Sequence, residues 1–131
     1  MSILVDTCIW SKVLRYKEPD LNLSNKLIEL IKNSKVSIIG PIRQEVLSGI
    51  THKDQFNKLK TKLSAFEDIP IETHHYIQAA EYSNFCRSKG IQGSSIDFLI
   101  CSVAKDLDLT IFTLDKDFFH YKKILKFKLM K

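Results

Sequence analysis

Five carboxylates in this 131-residue sequence stand beside apolar runs. Asp6 directly follows Ile3-Leu4-Val5, and Glu45 lies a helical turn beyond Pro41. Asp97 opens the series Ile96, Leu99, Ile100, while Asp115 and Asp117 follow Thr110-Ile111-Phe112-Thr113. Singly, each has a structural explanation. Asp6 can cap the helix after it, Asp97 suits the dipole of a first helical turn, Asp115 and Asp117 can hold a turn, and Glu45 can be one more solvated helix residue. Gathered in one place they would repel unless something cationic sat among them. Three or four carboxylates on a rigid frame are oxygen ligands of the kind that hold Mg²⁺ or Mn²⁺. That chemistry requires the acids to converge.

The elements between them predict that they do. Ile3-Leu4-Val5, Val36-Ser37-Ile38-Ile39 and Thr110-Ile111-Phe112-Thr113 read as short buried strands. Ile69-Pro70-Ile71 reads as a brief edge strand, and the alternation of Leu125, Phe127 and Leu129 with lysines as a final edge strand. Helices are expected from Thr7 to about Arg15, from a Ser24 cap through Leu27, Ile28 and Ile31, and from Gly40-Pro41 to about Gly49. A lysine-rich helix carries Phe56, Leu59, Leu63 and Phe66. Thr73 caps another helix running to about Lys89, and Ser94-Ser95 cap the most regular one, with Ile96, Leu99, Ile100, Val103, Ala104 and Leu107 on one stripe. Strands alternating with helices predict an α/β sandwich around a largely parallel twisted sheet of about five strands, in one domain over residues 1–131. In that topology Asp6 and Asp115 follow carboxyl ends of strands. Glu45 lies on a helix leaving a strand, and Asp97 at the start of a helix feeding one. All four acids then meet at the edge where open α/β sheets bind ligands.

The motifs Val5-Asp6-Thr7, Pro41…Glu45-Val46-Leu47, Ser95-Ile96-Asp97-Phe98-Leu99-Ile100 and Phe112-Thr113-Leu114-Asp115-Lys116-Asp117-Phe118 resemble, in order and spacing, the acidic motifs of PIN-domain ribonucleases. Within them they look most like the VapC-type toxins of toxin–antitoxin pairs, from residue 3 to about 120. The resemblance implies a PIN-like three-layer sandwich and a Mg²⁺- or Mn²⁺-dependent endoribonuclease. Asp6, Glu45, Asp97 and Asp115 would be the catalytic set, and Asp6, Asp97 and Asp115 the principal metal ligands. Glu45 and Asp117 would be further ligands, and Thr7 and Thr113 hydrogen-bonding supports. The cation would activate the water that cleaves the RNA phosphodiester and stabilise charge on the phosphate. The resemblance also implies a homodimer silenced by a cognate VapB-like antitoxin. Cys8 departs from the pattern, standing where such toxins commonly carry Ser or Asn.

Composition agrees with a cytoplasmic globular protein. Hydrophobic residues make up 44% and charged residues 27%, with a net charge of +5. Three cysteines argue against a disulfide framework, and no apolar run reaches the roughly 20 residues of a membrane span. Asp6 falls where a signal peptide would need an apolar stretch. Lysines crowd residues 53–62 and the tail, which suggests a polyanionic partner. Lys53, Lys58, Lys60, Lys62, Arg43 and Arg87 are the expected RNA contacts. The plainer reading of those lysines is solvation. Trp10, Tyr16 and Phe118-Phe119 read as core or partner-facing aromatics. His74 and His75, adjacent on a helix and about 100° apart, are not expected to share a zinc ion. A catalytically silent RNA-binding or scaffold protein of the same fold is the alternative. A phosphatase-like site is disfavoured, because Cys8 stands where it would place its second Asp.

Overall fold

The computed structural model describes residues 1–15, 18 and 20–130. Tyr16 and Pro19 lie outside them. Among the described residues, four strands form one sheet: β1 (Ser2–Val5), β2 (Lys35–Ser37), β3 (Thr110–Phe112) and β4 (Lys128–Leu129), in the order β2-β1-β3-β4. Every pairing is parallel, with Ile3 opposite Val36 and Thr110, and Ile111 opposite Leu129. Seven helices of the described residues flank the sheet: α1 (Thr7–Leu14), α2 (Leu21–Asn33), α3 (Gly40–Leu47), α4 (Lys53–Leu63), α5 (Thr73–Ser88), α6 (Ser95–Asp106) and α7 (Asp117–Leu125). Ile3, Leu4 and Val5 are fully buried, as the unbroken apolar run of a central parallel strand requires.

The expected α/β architecture is present, with local differences. Residues 69–71 form no strand; the chain only touches the sheet's rim through an isolated Ile38–Asp68 bridge. Pro70 has no N–H to give a ladder. The alternation from Leu125 to Leu129 splits, because Leu125 closes α7 and only Lys128–Leu129 pairs with β3. Lys126 makes the break in a left-handed conformation at φ 55°. Helix α2 begins before Ser24: Asp20 caps it by accepting from the Leu23 N–H at 3.1 Å. Leu23 and Leu27 are buried there, whereas Ile28 and Ile31 face outward. Helix α5 is capped by Glu72 rather than Thr73.

Helix α6 is buried on every side from Phe98 to Ala104, so it is a central element packed mainly between α5 and the sheet. Leu107 lies just past its end and is 46% exposed. Trp10 is a core residue, its indole N–H donating to the Val5 carbonyl at 3.1 Å. Phe118 is buried and Phe119 exposed. No helix among the described residues is long and apolar enough to cross a membrane.

Candidate active site

The sheet order sets the site. From β1 the chain crosses to β2 on one side, and β3 flanks β1 on the other, so the crevice between the carboxyl ends of β1 and β3 is the switch point where such sheets bind ligands. Asp6 is the residue after β1, and its backbone N–H extends the ladder to Phe112 O at 2.9 Å. Its carboxylate is held from both sides: Oδ1 accepts from the Thr7 N–H at 2.8 Å, and Oδ2 from the Thr113 hydroxyl at 2.7 Å. Thr113 Oγ1 in turn accepts from the Asp115 N–H at 3.0 Å, and Asp115 Oδ1 accepts from the Asp117 N–H at 2.9 Å. The Thr-Leu-Asp-Lys-Asp stretch is thus a folded turn locked onto Asp6.

The other acids arrive on helices. Ser94 caps α6 by accepting from the Asp97 N–H at 3.1 Å, which places Asp97 in the first turn. Tyr121 of α7 donates its hydroxyl to Asp97 Oδ2 at 2.8 Å. Glu45 of α3 accepts from the Thr7 hydroxyl at 3.1 Å, and it lies at the exposed rim. Burial pushes the carboxyls of Asp6 and Asp97 above the usual carboxylate range. The negative charge of Asp115 adds to the rise at Asp6, and the charges of Asp6 and Asp115 add to it at Asp97. Asp6, Asp97 and Asp115 are therefore near enough to feel one another. Asp117 stands at the start of α7, exposed, and contributes its N–H to the turn.

Hard oxygen donors in partial burial and mutual repulsion are a donor set that a divalent cation would complete. The ligand atoms of the three acids do not all lie within 4.8 Å of one another. Mg²⁺ keeps several of its own waters and binds through one or two carboxylates, so it does not need all three in one closed cage.

Two side chains join the site without a signal strong enough in the sequence. Cys8 is half-buried; its thiol touches Asp6 Oδ2 at 3.7 Å and Thr113 Oγ1 at 3.5 Å, and accepts from the Leu114 N–H at 3.4 Å. Burial pushes that thiol up, so it stays neutral beside the acids. Tyr121 is the other, and its signal is a tyrosine where a phenylalanine would fill the same core position.

The basic residues divide. Lys53, Lys58, Lys60 and Lys62 are exposed on α4, on either side of its buried Leu59 and Leu63, and Arg87 is exposed on α5. Arg43 is differently placed from the expected phosphate contact. Its guanidinium donates to Asp68 Oδ1 at 3.0 Å, to Leu63 O at 2.9 Å and to Phe66 O, so its donors serve the segment after α4.

Among the described residues, the side chains whose ligand atoms all lie within 4.8 Å of one another are His74, His75 and Asp106. The two rings do converge, contrary to the expectation from helical spacing: both Nε2 atoms reach Asp106 Oδ2, at 3.1 and 2.8 Å. They meet because Asp106 comes from the far end of α6. Yet His75 Nδ1 accepts from the Glu72 N–H at 2.9 Å in the cap of α5. A neutral ring accepting at Nδ1 carries its proton on Nε2, the atom a cation would need. Metal-bound histidines instead donate from their second nitrogen. The trio is a helix cap tied to an acid, at the opposite end of α6 from Asp97.

A family model for the PIN domain matches residues 3–124. The chain belongs to the PIN-domain family. Solved structures agree over nearly the whole length. A chain of the VapBC2 complex from Rickettsia felis, bound to a promoter DNA fragment, is similar with a TM-score of 0.82 and 26% identity, covering 99% of this chain and 98% of that one. FitAcB from Neisseria gonorrhoeae gives 0.80 at 19% identity, covering 98% and 96%. DNA-bound VapBC from Salmonella typhimurium gives 0.76 at 14%, covering 99% and 97%. At the two lower identities the likeness is one of fold. No curated protein matches the sequence.

Proposed function

We propose that this PIN-domain chain is a single-domain, cytoplasmic VapC-type toxin, a Mg²⁺- or Mn²⁺-dependent endoribonuclease held in check by a VapB-like antitoxin and acting as a homodimer. The observation that carries the nuclease reading is the Asp6–Asp97–Asp115 group at the sheet's switch point, with the charge of Asp115 felt at Asp6 and those of Asp6 and Asp115 felt at Asp97. The toxin reading rests on the family match and on the likeness to chains of VapBC complexes.

Asp6, Asp97 and Asp115 would hold the cation, with Glu45 and Asp117 at the rim as further ligands. A bound divalent ion would supply Lewis-acid stabilisation of the phosphate and lower the pKa of the attacking water. The chain's own residues do the rest. Thr7 and Thr113 fix both oxygens of Asp6 and, through Glu45 and Asp115, join it to two further acids. Glu45 is exposed and accepts from the Thr7 hydroxyl, and it would orient the attacking water. The lysines of α4 and Arg87 would draw the RNA backbone toward an otherwise repulsive acidic crevice.

Purified chain tested on total RNA with Mg²⁺, Mn²⁺ or chelator, beside Asp6→Asn and Asp97→Asn, examines this reading. Discrete fragments that require the cation are expected, with a loss of at least about 100-fold in both variants, since even outer-shell partners of a metal site are worth 10–100-fold. A folded, cation-replete chain that binds RNA without cutting it would favour a silent binding module.

A further inference from the structure

The Tyr121 hydroxyl raises a question that packing alone does not answer. The ring is fully buried, with Phe98 at 5.1 Å and Phe118 at 5.2 Å between centroids, and a phenylalanine would fill the same space. A buried hydroxyl needs a partner, and here the partner is the Asp97 carboxylate. Room for the phenol is made by Gly93. A Cβ on Gly93 would stand 2.7 Å from Tyr121 Cζ and 2.9 Å from Cε1, and closer still to the hydroxyl oxygen. The glycines with positive φ are Gly49 and Gly90, so Gly93 answers a need for space. The phenol approaches Asp97 from α7, while Ser94 caps the same turn from the position before α6.

We infer that Tyr121 is a positioning residue for Asp97: its buried phenol, admitted by the absent side chain at Gly93, sets the rotation of that carboxylate for a divalent cation. The inference rests on reading the acid group as a cation site. Removing the hydroxyl leaves the ring packing intact and frees the carboxylate to turn. Gly93→Ala reaches the same end by pushing the phenol away from Asp97.

The test is Mn²⁺ binding to the purified, RNA-free chain, followed by the electron paramagnetic resonance signal of free Mn²⁺. Wild type, Tyr121→Phe, Gly93→Ala and Asp97→Asn are compared, each checked for folding by circular dichroism. The expected result is a dissociation constant raised about 10- to 100-fold in Tyr121→Phe and Gly93→Ala, with Asp97→Asn weaker still. Cleavage by Tyr121→Phe should recover as Mn²⁺ is raised, which a general loss of structure would not allow. Wild type that binds Mn²⁺ with Tyr121→Phe binding equally well overturns the inference and leaves the cation site standing. Wild type that binds no Mn²⁺ overturns both. A Tyr121→Phe chain that fails to fold also overturns it, since the hydroxyl would then be a requirement of the core.

Discussion

At the scale of the residue, the site is a set of acids kept where they cost stability. Burial, with the charge of Asp115 at Asp6 and of Asp6 and Asp115 at Asp97, raises the Asp6 and Asp97 carboxyls above the ordinary value of 3.8. Below the unfolded value both states are protonated and nothing is lost. As pH rises from 3.8 toward the raised native values, the unfolded chain releases its protons first, so stability falls, and above that window the full penalty is present. Asp97→Asn should therefore raise the cation-free thermal midpoint at about pH 7, with the gain vanishing near pH 3; thermal scans across pH check it. Saturating Mn²⁺ should raise the wild-type midpoint in the same direction, since it would bind only the folded chain. The acids themselves were legible from their places beside apolar runs. Cys8 and Tyr121 were not, because a thiol and an aromatic at those positions look like ordinary core residues until the partner strand or helix is in place.

At the scale of the element, β1, β2, β3 and α6 follow from apolar runs and a serine cap. Helix α7 meets a strand-like alternation at its last residue: Leu125, Phe127 and Leu129 match period two, while Phe118, Tyr121 and Leu125 carry the helical spacing that the structure uses. Caps were displaced by one to four residues, since Asp20 and Glu72 compete with Ser24 and Thr73 for the same role and tertiary fit decides. The structural role of Arg43 also belongs here. Arg43 ties Leu63, Phe66 and Asp68 to α3, so Arg43→Lys, whose ammonium lacks the planar fork that serves all three acceptors, should cost about 1–3 kcal/mol. Chemical denaturation measures this, and an unchanged midpoint would remove Arg43 from the structural frame. His75→Ala should cost at least about 1 kcal/mol by removing the bond that completes the α5 cap, while leaving Mn²⁺ binding at the acid crevice unaltered.

At the scale of the whole molecule, a parallel sheet of four strands brings acids from residues 6, 97 and 115 together, a result of topology that spacing only foreshadows. The chain carries a net charge of +5, and Lys53, Lys58, Lys60 and Lys62 are exposed along α4. RNA binding by a cleavage-dead variant should weaken linearly in log–log plots against salt. Replacing Lys58 and Lys62 together with alanine should flatten that slope by about 0.7 for each phosphate the pair neutralises. An unchanged slope would assign those lysines to solvation.

The most direct test of the central claim is cleavage of RNA by the purified chain, freed of any bound inhibitor, with Mn²⁺ and with chelator, beside folded Asp97→Asn. Discrete fragments that appear only with Mn²⁺ and vanish in the variant are the result expected. Cleavage that persists in chelator, or that Asp97→Asn performs as well as wild type, would contradict the assignment of these acids as the catalytic centre.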